Sequence, residues 1–330
     1  MKVVRTVSGD IAPSGLGVTQ THEHLRCDQN LCCSTEDFPS NNTSMVLTDT
    51  DLIVDALAEF RSAGGQAIAE MTVKGLGRDV AVLREISNRT GIHVIATSGF
   101  YVEACLPAFA RTASVEALTD FLVRELTEGA DGTTIRTGIL KSGVGRPVIE
   151  GVELRCAQAV ARAQRVSGVA ITTHTSASSR FEILGGNLGS LHLDVFEAEG
   201  VDPARVIIGH TDENADIRQL LSLAKRGAYV QFDVVGKSHW LLDETRVELL
   251  ARLVDGGHGD RLLLSTDRCR VSELKIKGGP GYDHLLRTFV PKLRQAGFDE
   301  AMMHQILVTN PSRILAFDSP QTLPSATLPT

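Results

Sequence analysis

His22 and His24 stand two apart in the segment Val18–Leu25. Side chains at i and i+2 of a β-strand point the same way, so both imidazoles can face one ion. Other metal-ligand types follow at intervals: Lys141, His174, His210 and Asp267 each fall at the end of a short apolar run. Imidazole nitrogen and carboxylate oxygen suit zinc, and also cobalt, manganese or iron. A single His-x-His pair is weak by itself. A lone strand-end His usually makes an ordinary hydrogen bond, and an Asp after a strand is often a helix cap. The reading therefore depends on whether the fold gathers these residues in one place.

The elements that must position them alternate. Eight runs rich in Val, Ile and Ala are Leu16–Thr21, Ala67–Thr72, His93–Ser98, Thr137–Lys141, Ala170–Thr175, Val206–His210, Ala228–Asp233 and Arg261–Asp267. Their near-continuous apolar character is that of strands buried on both faces of a parallel sheet. Helical periodicity lies between them, over Asp51–Ala63, Asp79–Arg89, 115–128 after the cap Ser114, Gly151–Val166, Ile217–Lys225 and Glu244–Val254. A last stretch, Tyr282–Ala296, contains Pro291, which predicts a kink or a break. Eight strand–helix units predict an α/β fold, a (β/α)8 TIM barrel. A doubly wound open sheet would carry a Gly-rich phosphate loop after an early strand, and the chain has none. Residues 1–317 read as one barrel domain preceded by a short strand pair in Met1–Gly15. Residues 318–330, rich in Pro, Ser and Thr, read as a flexible tail.

In such a barrel the C-terminal strand ends form the rim where chemistry is done. The ligand-type residues fall there. Asp267, on the strand that closes beside the first, can join His22 and His24 around one ion. His174 and His210, on neighbouring strands, can hold a second. Burial and two nearby dications would depress the pKa of Lys141 and leave a neutral amine. That amine can take up carbon dioxide as a carbamate, whose two oxygens can bridge the ions.

Composition narrows the function classes. The 330 residues carry 33 Lys+Arg against 40 Asp+Glu, a net charge of −7, which argues against nucleic acid as a partner. With 42% hydrophobic and 22% charged residues the chain is an ordinary globular protein, neither disordered nor spanning a membrane. Met1–Asp10 has no apolar signal segment, and the six cysteines form no Cys-x-x-Cys pair. They are expected as reduced thiols in a cytoplasmic protein.

The segments Val18–Leu25, Gly138–Gly143, Thr172–Thr175, Ile208–Asp212 and Leu263–Asp267 resemble the phosphotriesterase-like family of the amidohydrolase superfamily. So do Ser98-Gly99-Phe100-Tyr101, Gly278–Leu286 and Asn310–Phe317, and the likeness runs from about residue 3 to residue 317. The resemblance implies a (β/α)8 barrel with a binuclear centre of two divalent ions, zinc first. His22, His24 and Asp267 match the ligands of the more buried ion, and His174 and His210 those of the more exposed one. Lys141 matches the N6-carboxylated bridging lysine. The resemblance also implies a homodimer acting on a small molecule.

Two ions sharing a water lower its pKa toward neutrality, and the resulting hydroxide attacks a carbonyl or phosphoryl centre. Asp267 is the expected proton shuttle, with Lys141 the other catalytic residue. Tyr101 matches a tyrosine that lactonase-like members place beside the metals, which favours a lactone or other carboxylic ester. Val234 stands where the quorum-lactonase pattern has an arginine, which weakens an acyl-homoserine-lactone substrate. A phosphotriester or an N-acyl amide is the alternative, and a small-molecule-binding barrel without catalysis is the remaining class. Lys237, Arg268, Arg270, Lys275 and Lys277 follow strands 7 and 8 and suit an anionic substrate tail, with Arg268 as the candidate contact.

Overall fold

A computed structural model describes residues 1–32, 42–175, 187–213 and 216–318. Eight parallel strands lie side by side in chain order. They are Thr19–Glu23, Ala67–Glu70, His93–Phe100, Ile139–Gly143, Ile171–His174, Val206–Ile208, Tyr229–Phe232 and Leu262–Leu264, here called strands 1 to 8. Each lies on one of the eight apolar runs. The ends of the sheet meet through Asp267, whose N–H donates to the His22 carbonyl at 3.2 Å. Ser265 joins the same seam, its Oγ accepting from the His22 N–H at 3.0 Å and donating to the His22 carbonyl at 2.7 Å. The fold is a (β/α)8 TIM barrel.

Small and branched side chains fill the lower barrel. Ala67, Ala69, Met71, Ile95, Ile139, Ala170, Ile207, Tyr229 and Leu263 form one buried cluster there. A second, larger cluster packs the outward strand faces against the helices. The apolar filling leaves the upper rim as the place where polar side chains converge.

The helices follow their local signals. Thr50–Ser62 is capped by Asp49, Val80–Thr90 by Asp79 and Val115–Thr127 by Ser114, each side chain accepting a first-turn N–H. Gly91 and Gly168 end two helices in the left-handed conformation. Leu188–Ala198, capped by Asn187, is a further helix that the sequence reading did not delimit. Around Pro291 the chain does not break. A π-turn over Leu285–Phe289 leads into the α-helix Val290–Gln295, and the proline falls in its first turn, where a missing N–H costs little.

Lys2–Thr6 and Gly9–Ile11 form the expected antiparallel pair, and Phe317–Asp318 adds a third strand against Lys2 and Val3. The rest of the expected tail, 319–330, lies outside the described residues. Among the described residues no helix is long and apolar enough to cross a membrane. One expectation is corrected. Cys32 and Cys105 form a disulfide, so the cysteines are not all reduced thiols, and the cytoplasmic expectation loses that support. The bond ties the loop after strand 1 to the loop after strand 3, a proximity that spacing does not reveal. Cys27, Cys156 and Cys269 are free and buried.

Candidate metal centre

His22, His24 and Asp267 come together at the seam between strands 1 and 8. One ligand atom from each lies within 4.8 Å of the others. The strand is not a plain alternation. Its pairing with strand 2 shifts register between Gln20 and Glu23, placing one extra residue on strand 1. A bulge of this kind re-aims side chains at a barrel rim. Asp267 Oδ1 stands 3.3 Å from His24 Nε2 and 3.7 Å from His22 Nε2. His22 Nε2 is buried and makes no hydrogen bond, as suits a nitrogen kept for a metal. Two imidazoles and a carboxylate fit a divalent ion such as zinc.

Of the other ring nitrogens, those of His24 and His210 have close polar partners, while His22 Nδ1 faces a carboxylate without a hydrogen bond. His24 Nδ1 is 2.6 Å from Thr72 Oγ1. Asp233 lies between two histidines: Oδ1 is 2.7 Å from His210 Nδ1, and Oδ2 is 3.0 Å from His22 Nδ1. Such outer partners fix ring orientation and tautomer. Asp233 is itself positioned by Asp212, whose carboxylate accepts its N–H at 3.0 Å and pairs with the buried Arg246 at 2.6 Å.

His174 and His210 face each other on strands 5 and 6, Nδ1 to Nε2, at 2.6 Å. The Tyr101 hydroxyl meets His174 Nε2 at 3.1 Å. Lys141 is buried on strand 4, with Nζ donating to the Met71 carbonyl at 3.0 Å and lying 5.3 Å from the centre of the Tyr101 ring. All six ligand-type residues of the sequence reading thus stand at one rim, and Tyr101 stands with them. Among the described residues His22, His24 and Asp267 form a group that could hold a metal ion, and His174 and His210 stand together beside it.

The backbone is unusual at two of these positions. His210 has φ 55° and Asp267 has φ 49°, the left-handed region that non-glycine residues seldom occupy. His210 lies two residues past its strand and Asp267 three residues past its own. The surrounding hydrogen bonds hold a conformation worth of order 1 kcal/mol of strain or more.

Burial dominates the local electrostatics. It lowers the pKa of His22, and holds His24 down at about 4. It lowers Lys141 too, against the pull of Asp267 and other acidic groups. Burial would also lower His210, but the Asp233 carboxylate outweighs it and raises that pKa to about 9. His174 falls well below its usual range through burial and the neighbouring His210. Asp267 would be raised by burial, yet the Lys237 ammonium and the histidines hold it well below the usual carboxylate range.

Two positioning residues escaped the sequence reading, Asp233 and Thr72, and Lys237, expected to suit an anionic substrate tail, holds Asp267 instead. Lys237 Nζ donates to Asp267 Oδ2 at 2.8 Å and lies 3.2 Å from Glu273 Oε1. Glu23 and Glu70 serve structure. Glu23 accepts from Ser265, Thr266 and the Arg268 N–H, and Glu70 from the N–H groups of Leu25 and Thr72. Burial pushes both carboxyls up to about 7. Arg268 departs from its expected substrate role. It is 1% exposed, and its guanidinium donates to the carbonyls of Gly281 and Val235.

Comparison with known proteins shows the family. The model of the phosphotriesterase family matches residues 2–315. The chain belongs to that family and is a metal-dependent hydrolase. It is 36% identical over 298 residues to the phosphotriesterase homology protein of Escherichia coli (strain K12), covering 90% of this chain and 97% of that one. It is 33% identical over 351 residues to the N-acetyltaurine hydrolase of Homo sapiens, covering 95% of this chain and 98% of that one. Among solved structures, a lactonase from Listeria monocytogenes superposes with a TM-score of 0.86 at 27% identity, covering 96% of this chain and 100% of the other.

Proposed function

We propose that this protein hydrolyses a carbonyl substrate, a lactone or other carboxylic ester, at a centre of two divalent ions. Zinc is the first choice, with cobalt, manganese or iron as alternatives. The observation that carries the reading is the convergence of His22, His24, Asp267, His174, His210 and Lys141, with the Tyr101 hydroxyl on His174. When bound, the ions supply a Lewis acid for the substrate oxygen and lower the pKa of a shared water.

The chain's own residues supply the rest. Asp267 is held ionised and can accept the proton of the attacking water, then return it to the leaving group. Lys237 and the ring of His24 fix its two oxygens. Lys141, with a depressed pKa, is the amine that would be N6-carboxylated to bridge the ions. Tyr101 can donate to the substrate's carbonyl oxygen from its place beside His174. The protein would act as a homodimer on a small molecule, with neither nucleic acid nor membrane as partner.

An N-acyl amide is the second reading, favoured by the near full-length match to an N-acetyltaurine hydrolase. A phosphotriester is the third. A panel of lactones, aryl esters, N-acyl amides and phosphotriesters on zinc- or manganese-loaded protein separates them. Turnover of a carbonyl class with trace triester cleavage is expected. Triester cleavage alone would overturn the proposal. Lys141→Ala is expected to lose both metal and turnover, and full activity in that variant would remove the bridging role.

A further inference from the structure

Five cations follow strands 7 and 8, and the structure sorts them. Arg268 is spent on two carbonyls. Lys237 is spent on Asp267 and Glu273. Lys275 pairs with Glu59 and Asp283. Arg270 and Lys277 alone have no acidic partner within salt-bridge distance among the described residues, and both are exposed.

The two differ in how they are tied to the centre. Glu273 Oε2 accepts the N–H groups of Cys269 and Arg270 at 2.8 and 3.1 Å, while its Oε1 faces Lys237. Lys237 in turn holds Asp267. Arg270 therefore rises from a backbone pinned, through one carboxylate and one ammonium, to the proton-carrying aspartate. Lys277 lies seven residues further on, at the end of a short turn closed by Gly278.

The loop after strand 7 is also fixed. The Trp240 N–H donates to the Lys237 carbonyl at 3.1 Å, and the His239 and Trp240 rings stand 5.5 Å apart. The buried Arg246 secures the same loop by bonding to the Leu241 carbonyl and to Asp243. Burial lowers the His239 pKa, with the Lys237 and Arg270 charges adding to it.

We propose that Arg270 is a specificity residue, binding an acidic group, a carboxylate or a sulfonate, on the leaving group of the acyl substrate. This rests on the acyl-hydrolase reading above. The proton taken up by Asp267 must pass to the leaving oxygen or nitrogen, so the leaving group lies on the Asp267 side. Arg270 stands three residues along that loop with its charge unspent. A guanidinium offers two parallel donors to such an acid, and pairs of this kind are the stronger hydrogen bonds of proteins.

The test uses matched substrates on the metal-loaded protein: the acetyl ester of 2-hydroxyethanesulfonate and the acetyl amide of 2-aminoethanesulfonate, each beside its neutral sulfonamide. Arg270→Met is expected to raise KM for the sulfonates by ~10- to 100-fold with kcat little changed, and to leave the sulfonamides alone. Arg270→Lys should restore part of the loss, and Lys277→Met should match the wild type. Calorimetric binding of the two free sulfonate products should weaken to the same extent in Arg270→Met. Equal effects on charged and neutral members, or unchanged product binding, would overturn the proposal. If the wild type turns over neither the ester nor the amide, the acyl-hydrolase reading fails, and product binding still decides the role of Arg270.

Discussion

Asp233 and His210 are paired at 2.7 Å, and the second oxygen of the same carboxylate stands 3.0 Å from His22 Nδ1. One carboxylate thus touches a ring from each of the two histidine groups. Asp233→Asn keeps the volume and removes the charge. Both ions should bind ~10- to 100-fold more weakly, the usual cost of losing such a partner. Metal content after dialysis against graded chelator measures this, and unchanged retention of both ions would refute the coupling.

Gly209 makes the arrangement possible. A Cβ there would fall 2.5 Å from the Thr173 carbonyl and 2.9 Å from Asp233 Oδ2. Gly209→Ala should cost about 1–3 kcal/mol in urea unfolding, as overpacking does. It should also reproduce part of the Asp233→Asn metal defect. A stability loss with normal metal retention would mean that Asp233 moves without disturbing the rings.

Tyr101→Phe removes the hydroxyl at His174 and leaves the ring. Two metals per chain should be retained while kcat on the preferred carbonyl substrate falls ~10-fold or more, the scale of one lost hydrogen bond to developing charge. Loss of metal in this variant would instead make Tyr101 a support for His174.

The Cys32–Cys105 bond closes a separation of 73 residues. On the chain-entropy account, Cys105→Ser should lower stability by about 4 kcal/mol. Denaturant titrations with and without a thiol reductant check this. The wild type should lose stability on reduction and the variant should not.

His192 is buried on the helix Leu188–Ala198, its Nδ1 3.1 Å from the Leu188 carbonyl, and burial holds its pKa at about 4. The unfolded chain binds the proton more readily, so stability must fall as pH drops from about 6.5 to about 4. The full contribution is roughly 3 kcal/mol. Glu23 and Glu70, raised to about 7, act in the opposite sense, so the wild type alone is not diagnostic. Across that window His192→Asn should gain stability relative to the wild type as pH drops, because only the wild type carries the His192 loss. Parallel curves would show that His192 has an ordinary pKa.

The sequence by itself determined the eight strands and most of the helices, and it made the six ligand-type residues legible as candidates. Strands buried on both faces must be apolar throughout, and a polar residue ending such a run stands out. Helix caps such as Asp49, Asp79 and Ser114 act on their own first turns, so they too are legible locally. Tertiary structure decided the rest, because those relations join residues far apart in the chain. It set the bulge that aims His22, and the span of Asp233 between His22 and His210. It also formed the Cys32–Cys105 bond and spent Arg268 on carbonyls while leaving Arg270 free. Charge and donor chemistry are properties of a residue type, but which partner receives them depends on which loops meet at the rim.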